Sequence, residues 1–334
     1  MKFKKTAITA LTLGLSVSTV LTAATKHENP NITPLKSSEV NVKQNQLSPV
    51  IELSDLAQLP TGTSIVDIRG DKEAFLAGHI PGSVQIGYGS FRGPKNNPGK
   101  LFKLTELAKT LSAAGLQKDQ GLVVVSEGKT ATDFGAAARV YWSLKSVGFQ
   151  NLSILNGGFK GYADAKLPLE KGPTNITPTE LTLEFNNAWY SSTDDIKASI
   201  DAGTATLLDS RLPEFFAGKA WHDAAKRPGS LPGAKNFAFT AFFDKTRLKP
   251  TDEVNQIVSK NSLNQSQTIS YCNTGHWAAT NWFILSEVAQ VPDVSLYAES
   301  MVEWSNADLS MDNVPGAFEF ALLKSKKWFD GLLN

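Results

Sequence analysis

The stretches IVDIR at residues 65–69 and LLDSR at residues 207–211 decide the fold of this chain. Each is a short aliphatic run that ends in Asp-x-Arg, and each precedes a Pro-Gly motif, GHIPGS at 78–83 and GSLPGA at 229–234. The same motifs in the same order, separated by far more than a solenoid repeat, predict two copies of one fold.

Short runs rich in aliphatic and β-branched residues alternate along both copies with longer segments of helical pattern. They are SIVDI at 64–68, LVVVS at 122–126, LSIL at 152–155, TLLDS at 206–210, TISYC at 268–272 and VSLY at 294–297. Such alternation is typical of parallel strands joined by crossover helices. The sequence therefore predicts an α/β fold with two domains, each a small parallel sheet flanked by helices.

Composition bounds the function. The 334 residues, 41% of them hydrophobic, suffice for two conventional cores. Because 33 basic and 32 acidic residues leave a formal charge of +1, we expect no nucleic-acid partner. The one cysteine and four histidines show no metal-ligand spacing, so we expect neither a metal nor a cofactor.

The N-terminus has the three parts of a secretory signal. Lysines within the first five residues precede an apolar stretch over 7–20 and small residues that end at Ala24. We expect a signal peptide over 1–24, followed by a flexible polar leader over 25–46. The mature protein is then periplasmic or secreted, with no membrane association after cleavage.

Prolines and a glycine mark a linker between the two copies. We place domain 1 at 47–166, the linker at 167–180 and domain 2 at 181–334. In domain 2, 23 positions separate the Asp of Asp-x-Arg from the Pro of Pro-Gly, against 14 in domain 1. Such an insertion often carries a binding surface.

Further motifs, taken with those above, resemble the rhodanese family over nearly all of residues 47–310. AARVYW at 137–142 and LNGGF at 155–159 match the first domain of tandem rhodaneses, and YAESMVEW at 297–304 is similar to their Tyr-Asp-Gly-Ser-Trp-x-Glu-Trp signature. The resemblance implies a sulfurtransferase of two rhodanese-like domains, with the active loop in the second, and the signal pattern at 1–24 indicates an exported member.

Cys272 is the only cysteine, so it cannot form an internal disulfide. It ends a predicted strand and precedes a helix predicted over 278–288, where α/β folds bind ligands. The active loop of the family begins here, whereas domain 1 has Ser126 at the corresponding position, so only domain 2 is expected to be catalytic. The alternative is an inert core thiol, since free cysteines are often buried.

The loop after the predicted strand is expected to bind the substrate through Asn273, Thr274, Gly275, His276 and Trp277. A glycine can adopt positive φ and curl the backbone round the sulfur, and free N–H groups before a helix stabilise an anion. We expect Cys272 to take the outer sulfur of a small donor as a persulfide and pass it to cyanide or a thiol, which can belong to a protein. Trp277 either walls the pocket or packs in the core.

The sequence leaves two candidates for the sulfur donor, a 3-mercaptopyruvate-like molecule and thiosulfate. Family members that use thiosulfate carry two basic residues in the loop, which here has only His276. Those that use mercaptopyruvate hold its carboxylate with two arginines; one corresponds to Arg227, but Phe215 stands at the other position. The insertion offers three basic side chains, either as replacements or as a solvated loop: Lys219, His222 and Lys226.

Two other functions compete with sulfur transfer. A Cys-dependent phosphatase or arsenate reductase needs a longer loop that ends in Arg, but the sixth residue after Cys272 is Ala278. The second is a non-catalytic binding or sulfur-carrier protein. Asp209 and Arg211 are interpreted as structural, because the same pair recurs in the cysteine-free domain.

Overall fold

Two parallel sheets form the framework of the chain, in a computed structural model that describes residues 46–265 and 267–332. The predicted signal peptide, and the predicted leader except for Gln46, lie outside the described residues.

Domain 1 is built on the first sheet. Its strands are β1 (Val50–Ile51), β2 (Ser64–Asp67), β3 (Val84–Gln85), β4 (Leu122–Val125) and β5 (Leu152–Leu155). Their order is β1-β5-β4-β2-β3, with every neighbouring pair parallel. Its helices are α1 (Lys72–Ala77), α2 (Leu104–Ala113), α3 (Ala131–Ser146) and α4 (Gly158–Asp164), with 3₁₀ turns at Leu53–Gln58 and Tyr88–Phe91. The central strand β4 is buried throughout, which explains its uninterrupted apolar run.

Domain 2 repeats this plan. Its parallel strands are β6 (Thr206–Asp209), β7 (Lys235–Asn236), β10 (Thr268–Tyr271) and β11 (Val294–Leu296), in the order β11-β10-β6-β7, and β8 (Phe243–Asp244) and β9 (Arg247–Leu248) form an antiparallel hairpin. Its helices are α5 (Thr193–Ala202), α6 (Pro213–Phe216), α7 (Thr251–Lys260), α8 (Trp277–Phe283), α9 (Ser300–Asn306) and α10 (Ala317–Leu332), with 3₁₀ turns at Asn187–Trp189 and Phe239–Phe242. The predicted fold class, two α/β domains with parallel sheets, is confirmed.

The helix predicted over 278–288 has two parts. It begins as α8 at Trp277, and from Ile284 to Val288 it continues as a π-helix. Among the described residues, no helix combines the length and apolar character needed to cross a membrane.

The Asp-x-Arg motif has the same contacts in both domains. The Nη2 atom of Arg69 lies 2.6 Å from Asp67 Oδ2, and Arg211 Nη2 lies 2.6 Å from Asp209 Oδ2. Each guanidinium also donates to the carbonyl of the glycine that opens the Pro-Gly motif, at 3.0 Å in domain 1 and 2.9 Å in domain 2. The pair thus ties a strand end to the following loop, as a structural role requires.

The predicted linker packs along domain 1. Glu170 exchanges backbone hydrogen bonds with His79, and its carboxylate accepts the Gly82 N–H at 2.7 Å. The Thr174 hydroxyl donates to a backbone carbonyl of the same Pro-Gly loop at 2.6 Å. His79 is fully buried here and donates from Nδ1 to a carbonyl of α1, so it belongs to the framework.

The two domains share an interface built around α3 and α8. The ring of Tyr141 meets that of Phe283 edge-on at 4.9 Å between centroids. The ammonium of Lys145 lies 2.7 Å from a carboxylate oxygen of Glu287, which also accepts the Tyr141 hydroxyl at 3.0 Å. One apolar cluster contains buried residues of both domains, so α3 is held directly beside the loop after β10.

Candidate active site

Cys272 directly follows β10 and lies at the carboxyl end of its sheet. The residue is only 1% exposed, yet it lines a cavity of about 490 Å³. Domain 1 contributes Arg92 and Thr132 to the lining, and α10 contributes Lys327. Phe215 and residues 221–223 come from the segment around the domain 2 insertion. The cavity therefore lies between the domains.

The backbone of Cys272 is fixed by Ser300. The Cys272 N–H donates to Ser300 Oγ at 3.0 Å, and the Cys272 carbonyl accepts the Met301 N–H at 3.2 Å. Ser300 has a φ of 55°, a conformation that L-residues seldom adopt. Ser300 lies in the motif at 297–304, but the motif alone does not predict this contact with Cys272.

The loop that follows Cys272 leaves its backbone donors free. Within the described chain, the N–H groups of residues 273–277 have no protein acceptor. Gly275 has a φ of +66°, and a side chain there would collide with the Ala298 carbonyl oxygen and with the Arg139 guanidinium. A glycine is therefore required, and the free donors are available to an anion held at the sulfur.

Asn273 and Thr274 are both buried and line the cavity beside the thiol. The Asn273 side-chain oxygen accepts from Arg211 Nη1 at 3.3 Å. The Asp209–Arg211 pair therefore reaches from the strand end to the loop that carries the cysteine.

His276 lines the cavity but provides no charge. Its Nε2–H donates to the Thr132 carbonyl at 2.9 Å, and its Nδ1 accepts the Tyr88 hydroxyl at 2.8 Å. Burial, together with the charge of Arg92, lowers the pKa of His276 to about 3, so the imidazole is neutral near pH 7. The residue joins the loop to domain 1, where Gly135 leaves space for it.

Trp277 forms an apolar wall of the cavity and also packs on neighbouring rings. Its ring stacks on Phe239 at 5.2 Å between centroids with an interplanar angle of 17°, and it meets Phe215 edge-on at 5.6 Å. Both sequence interpretations of Trp277 therefore describe its environment.

Arg227 is not among the residues that line the cavity. Its Nη2 donates to the Leu309 carbonyl at 2.8 Å, because the insertion folds against the turn after α9. The neighbouring Lys226 pairs with Asp308 at 2.6 Å. Of the basic residues of the insertion, His222 does line the cavity, and burial lowers its pKa.

Domain 1 contributes a buried guanidinium that sequence reasoning missed. Arg139 of α3 is 0% exposed and donates to the carbonyls of Gly275 at 3.3 Å and Gly99 at 3.0 Å. Burial, reinforced by the nearby charge of Arg92, lowers the pKa of Arg139 to about 10, which still leaves it a cation at neutral pH. An arginine amid the apolar residues 137–142 is the signal that points to such a role.

Comparison with known proteins defines the family. The rhodanese-like domain family matches residues 52–165 and 192–307, so the chain belongs to that family. It is 28% identical to a putative thiosulfate sulfurtransferase of Synechococcus elongatus over 263 residues, which are 75% of this chain and 80% of that protein. It is also 28% identical to the 3-mercaptopyruvate sulfurtransferase of Escherichia coli over 270 residues, 80% of this chain and 93% of that protein.

Solved structures of other proteins share the fold of this chain. The crystal structure of SseA from Escherichia coli, described as showing the rhodanese fold of 3-mercaptopyruvate sulfotransferases, matches with a TM-score of 0.66 at 25% identity, over 76% of this chain and 99% of that one. Wild-type EanB shares the fold, with a TM-score of 0.66 at 18% identity over 81% of this chain and 70% of its own. The protein is thus a sulfurtransferase with tandem rhodanese domains.

Proposed function

We propose that the enzyme moves a sulfane sulfur from a small donor to a thiol acceptor through a persulfide on Cys272. The observation that carries the proposal is the position of Cys272. Its backbone N–H is anchored by Ser300, and the residue lines a cavity beside the unpaired N–H groups of residues 273–277. These groups suit the negative charge of a thiolate and of a persulfide anion equally.

The proposed reaction has two half-steps. The Cys272 thiolate attacks the sulfur of 3-mercaptopyruvate, and the carbon–sulfur bond breaks with its electron pair going to carbon, which takes up the proton of the donor thiol. The products are pyruvate and the persulfide anion. An acceptor thiol then attacks the outer sulfur, becomes a persulfide and restores the Cys272 thiolate, as covalent catalysis requires.

The preferred donor is a 3-mercaptopyruvate-like carboxylate, with thiosulfate as the alternative. Thiosulfate is a dianion, and the loop has no cation to hold it because His276, with a pKa of about 3, is neutral. The sequence Thr274-Gly275 resembles mercaptopyruvate-using relatives, and one of the relatives above bears that name.

Mass spectrometry of the intact protein tests the proposal. After incubation with 3-mercaptopyruvate, and separately with thiosulfate, we expect one added sulfur atom on Cys272 and its release by cyanide as thiocyanate. Cys272→Ser, which keeps a similar volume, is the matched control. If neither donor loads the wild type above this control, the proposal fails and a binding role is favoured.

We also propose that the mature enzyme works outside the cytoplasm, on the basis of the signal pattern at 1–24. Cell fractionation followed by N-terminal sequencing is expected to find a chain that begins at Thr25. A cytoplasmic protein that retains Met1 would contradict this.

A further inference from the structure

The charged groups that line the active cavity are almost all neutralised within the protein. Lys327 Nζ lies 2.5 Å from Asp223 Oδ1, and it also donates to a backbone carbonyl at 3.1 Å. His222 and His276 both have a pKa lowered by burial. Among the described lining residues, this leaves Arg92 as the cation without an acidic partner.

Arg92, which lines the cavity, has an unsatisfied donor. It follows the 3₁₀ turn Tyr88–Phe91, and its guanidinium carbon lies 5.2 Å from the centroid of the Tyr88 ring. The Nη1 atom is buried and has no hydrogen-bond partner in the described chain. An unpaired buried donor on a cation is costly, whereas a bound anion would satisfy it.

Domain 2 lacks the pair of arginines that, in mercaptopyruvate-using family members, is expected to bind the carboxylate of the donor. Arg227 is turned to the Leu309 carbonyl and does not line the cavity, and Phe215 stands at the other position. A carboxylate-bearing donor at Cys272 therefore needs a cation from elsewhere, and domain 1 contributes Arg92 to the lining of the same cavity.

We propose that Arg92 of domain 1 binds the carboxylate of the sulfur donor, so that the donor spans the cavity from Arg92 to Cys272. The proposal rests on the function proposed above. The planar guanidinium suits two-point binding of a carboxylate, and it makes domain 1 a determinant of donor specificity.

The chain contains a matched control. Arg92 also lines a second cavity of about 680 Å³, whose lining includes Lys100 and Lys103. Neither lysine lines the Cys272 cavity. Lys103→Met therefore removes one positive charge nearby and leaves the proposed carboxylate site intact.

Kinetics with two donors test the proposal. For Arg92→Met with 3-mercaptopyruvate, we expect KM to rise about 10- to 100-fold with kcat little changed, as for the loss of hydrogen bonds to a charged group. Arg92→Lys should recover part of the loss, because it restores the charge but not the planar fork. With the ethyl ester of 3-mercaptopyruvate, which lacks the carboxylate, Arg92→Met should match the wild type.

Two results would overturn the role of Arg92. One is an unchanged KM of Arg92→Met for 3-mercaptopyruvate. The other is an equal rise in KM of Arg92→Met for the acid and the ester, or an equal rise in KM in Lys103→Met, because either would indicate a structural or general electrostatic effect. Calorimetric binding of pyruvate to Cys272→Ser, with and without Arg92→Met, measures carboxylate recognition without sulfur transfer. If pyruvate binding depends on Arg92 although the wild type never takes up sulfur, the proposed function fails and the carboxylate site stands; if pyruvate binds equally to both, the carboxylate site fails.

Discussion

The loop after β4 in domain 1 and the loop after β10 in domain 2 occupy equivalent places in two copies of one fold. The Ser126 carbonyl accepts the Phe159 N–H at 2.8 Å, just as the Cys272 carbonyl accepts the Met301 N–H at 3.2 Å. The loops differ in what their backbone donors bind, and this difference separates a framework loop from the loop that is proposed to be reactive.

In domain 1 two of the loop donors are used by the protein itself. The N–H groups of Lys129 and Thr130 both donate to the Asp133 carboxylate at 2.8 Å. Asp133 is the third residue of α3, and the third residue of α8 is Ala279. Domain 2 thus lacks the internal anion, and its donors stay available to a substrate.

In domain 1, protein side chains occupy the position that corresponds to the cavity of domain 2. The Arg69 guanidinium lies 3.5 Å from the centre of the Phe159 ring, and Leu248 of the β8–β9 hairpin exchanges hydrogen bonds with Asn156. One copy uses the space above its sheet to join the two domains, whereas the other keeps it open for chemistry.

Replacing the aspartate of each Asp-x-Arg pair tests whether the two pairs have the same structural role and whether only the domain 2 pair also affects catalysis. Asp67→Asn and Asp209→Asn should each lower the free energy of unfolding by about 3–5 kcal/mol, because each leaves a buried arginine without its counter-charge. Only Asp209→Asn should also reduce kcat, since Arg211 contacts Asn273 of the active loop. Urea unfolding and turnover well below each transition measure the two effects; equal losses of kcat would contradict the comparison.

Ser300 and its counterpart in domain 1 have the same backbone conformation but differ in the side chain. Its counterpart is Gly158, with a φ of 57° against 55° for Ser300. Ser300→Ala should lower kcat about 10- to 100-fold, because the Cys272 N–H loses its buried acceptor. Ser300→Gly should show the same loss of kcat but a higher melting temperature than Ser300→Ala, since glycine tolerates positive φ. Wild-type turnover in both variants would show that the hydroxyl does not position the cysteine.

A cysteine placed in the domain 1 loop should stay inert. Ser126→Cys in a Cys272→Ser background is expected to take up no sulfur, because the Asp133 carboxylate already accepts two of the loop N–H groups. The same double variant with Asp133→Ala tests whether freeing the donors is sufficient. Mass spectrometry after incubation with donor measures uptake, and loading of Ser126→Cys with Asp133 intact would contradict this account.

The fold is predictable from sequence, and so is the position of the candidate nucleophile at a strand end beside a cavity, because local motifs specify both. The repeated Asp-x-Arg and Pro-Gly motifs define two copies of one fold, and the lone cysteine at a strand end marks the loop. Arg92 and Arg139 escape such reasoning, since their place beside Cys272 depends on how α3 and the turn before Arg92 pack against the other domain. Arg227 shows the same limit, because its position near the Pro-Gly motif does not determine that its side chain turns to the Leu309 carbonyl.

The ion pair between Lys145 and Glu287 has a consequence for dynamics. Of this pair, the Glu287 side chain is 8% exposed and that of Lys145 is 24% exposed. The adjacent apolar cluster contains buried residues of both domains, so opening between the domains would break the ion pair and also expose apolar surface to water, which costs free energy. We therefore expect the two halves to unfold together as one cooperative unit. A persulfide on Cys272, as proposed above, would then be shielded from bulk oxidants while the molecule stays folded, and an acceptor would reach it only through the mouth of the cavity.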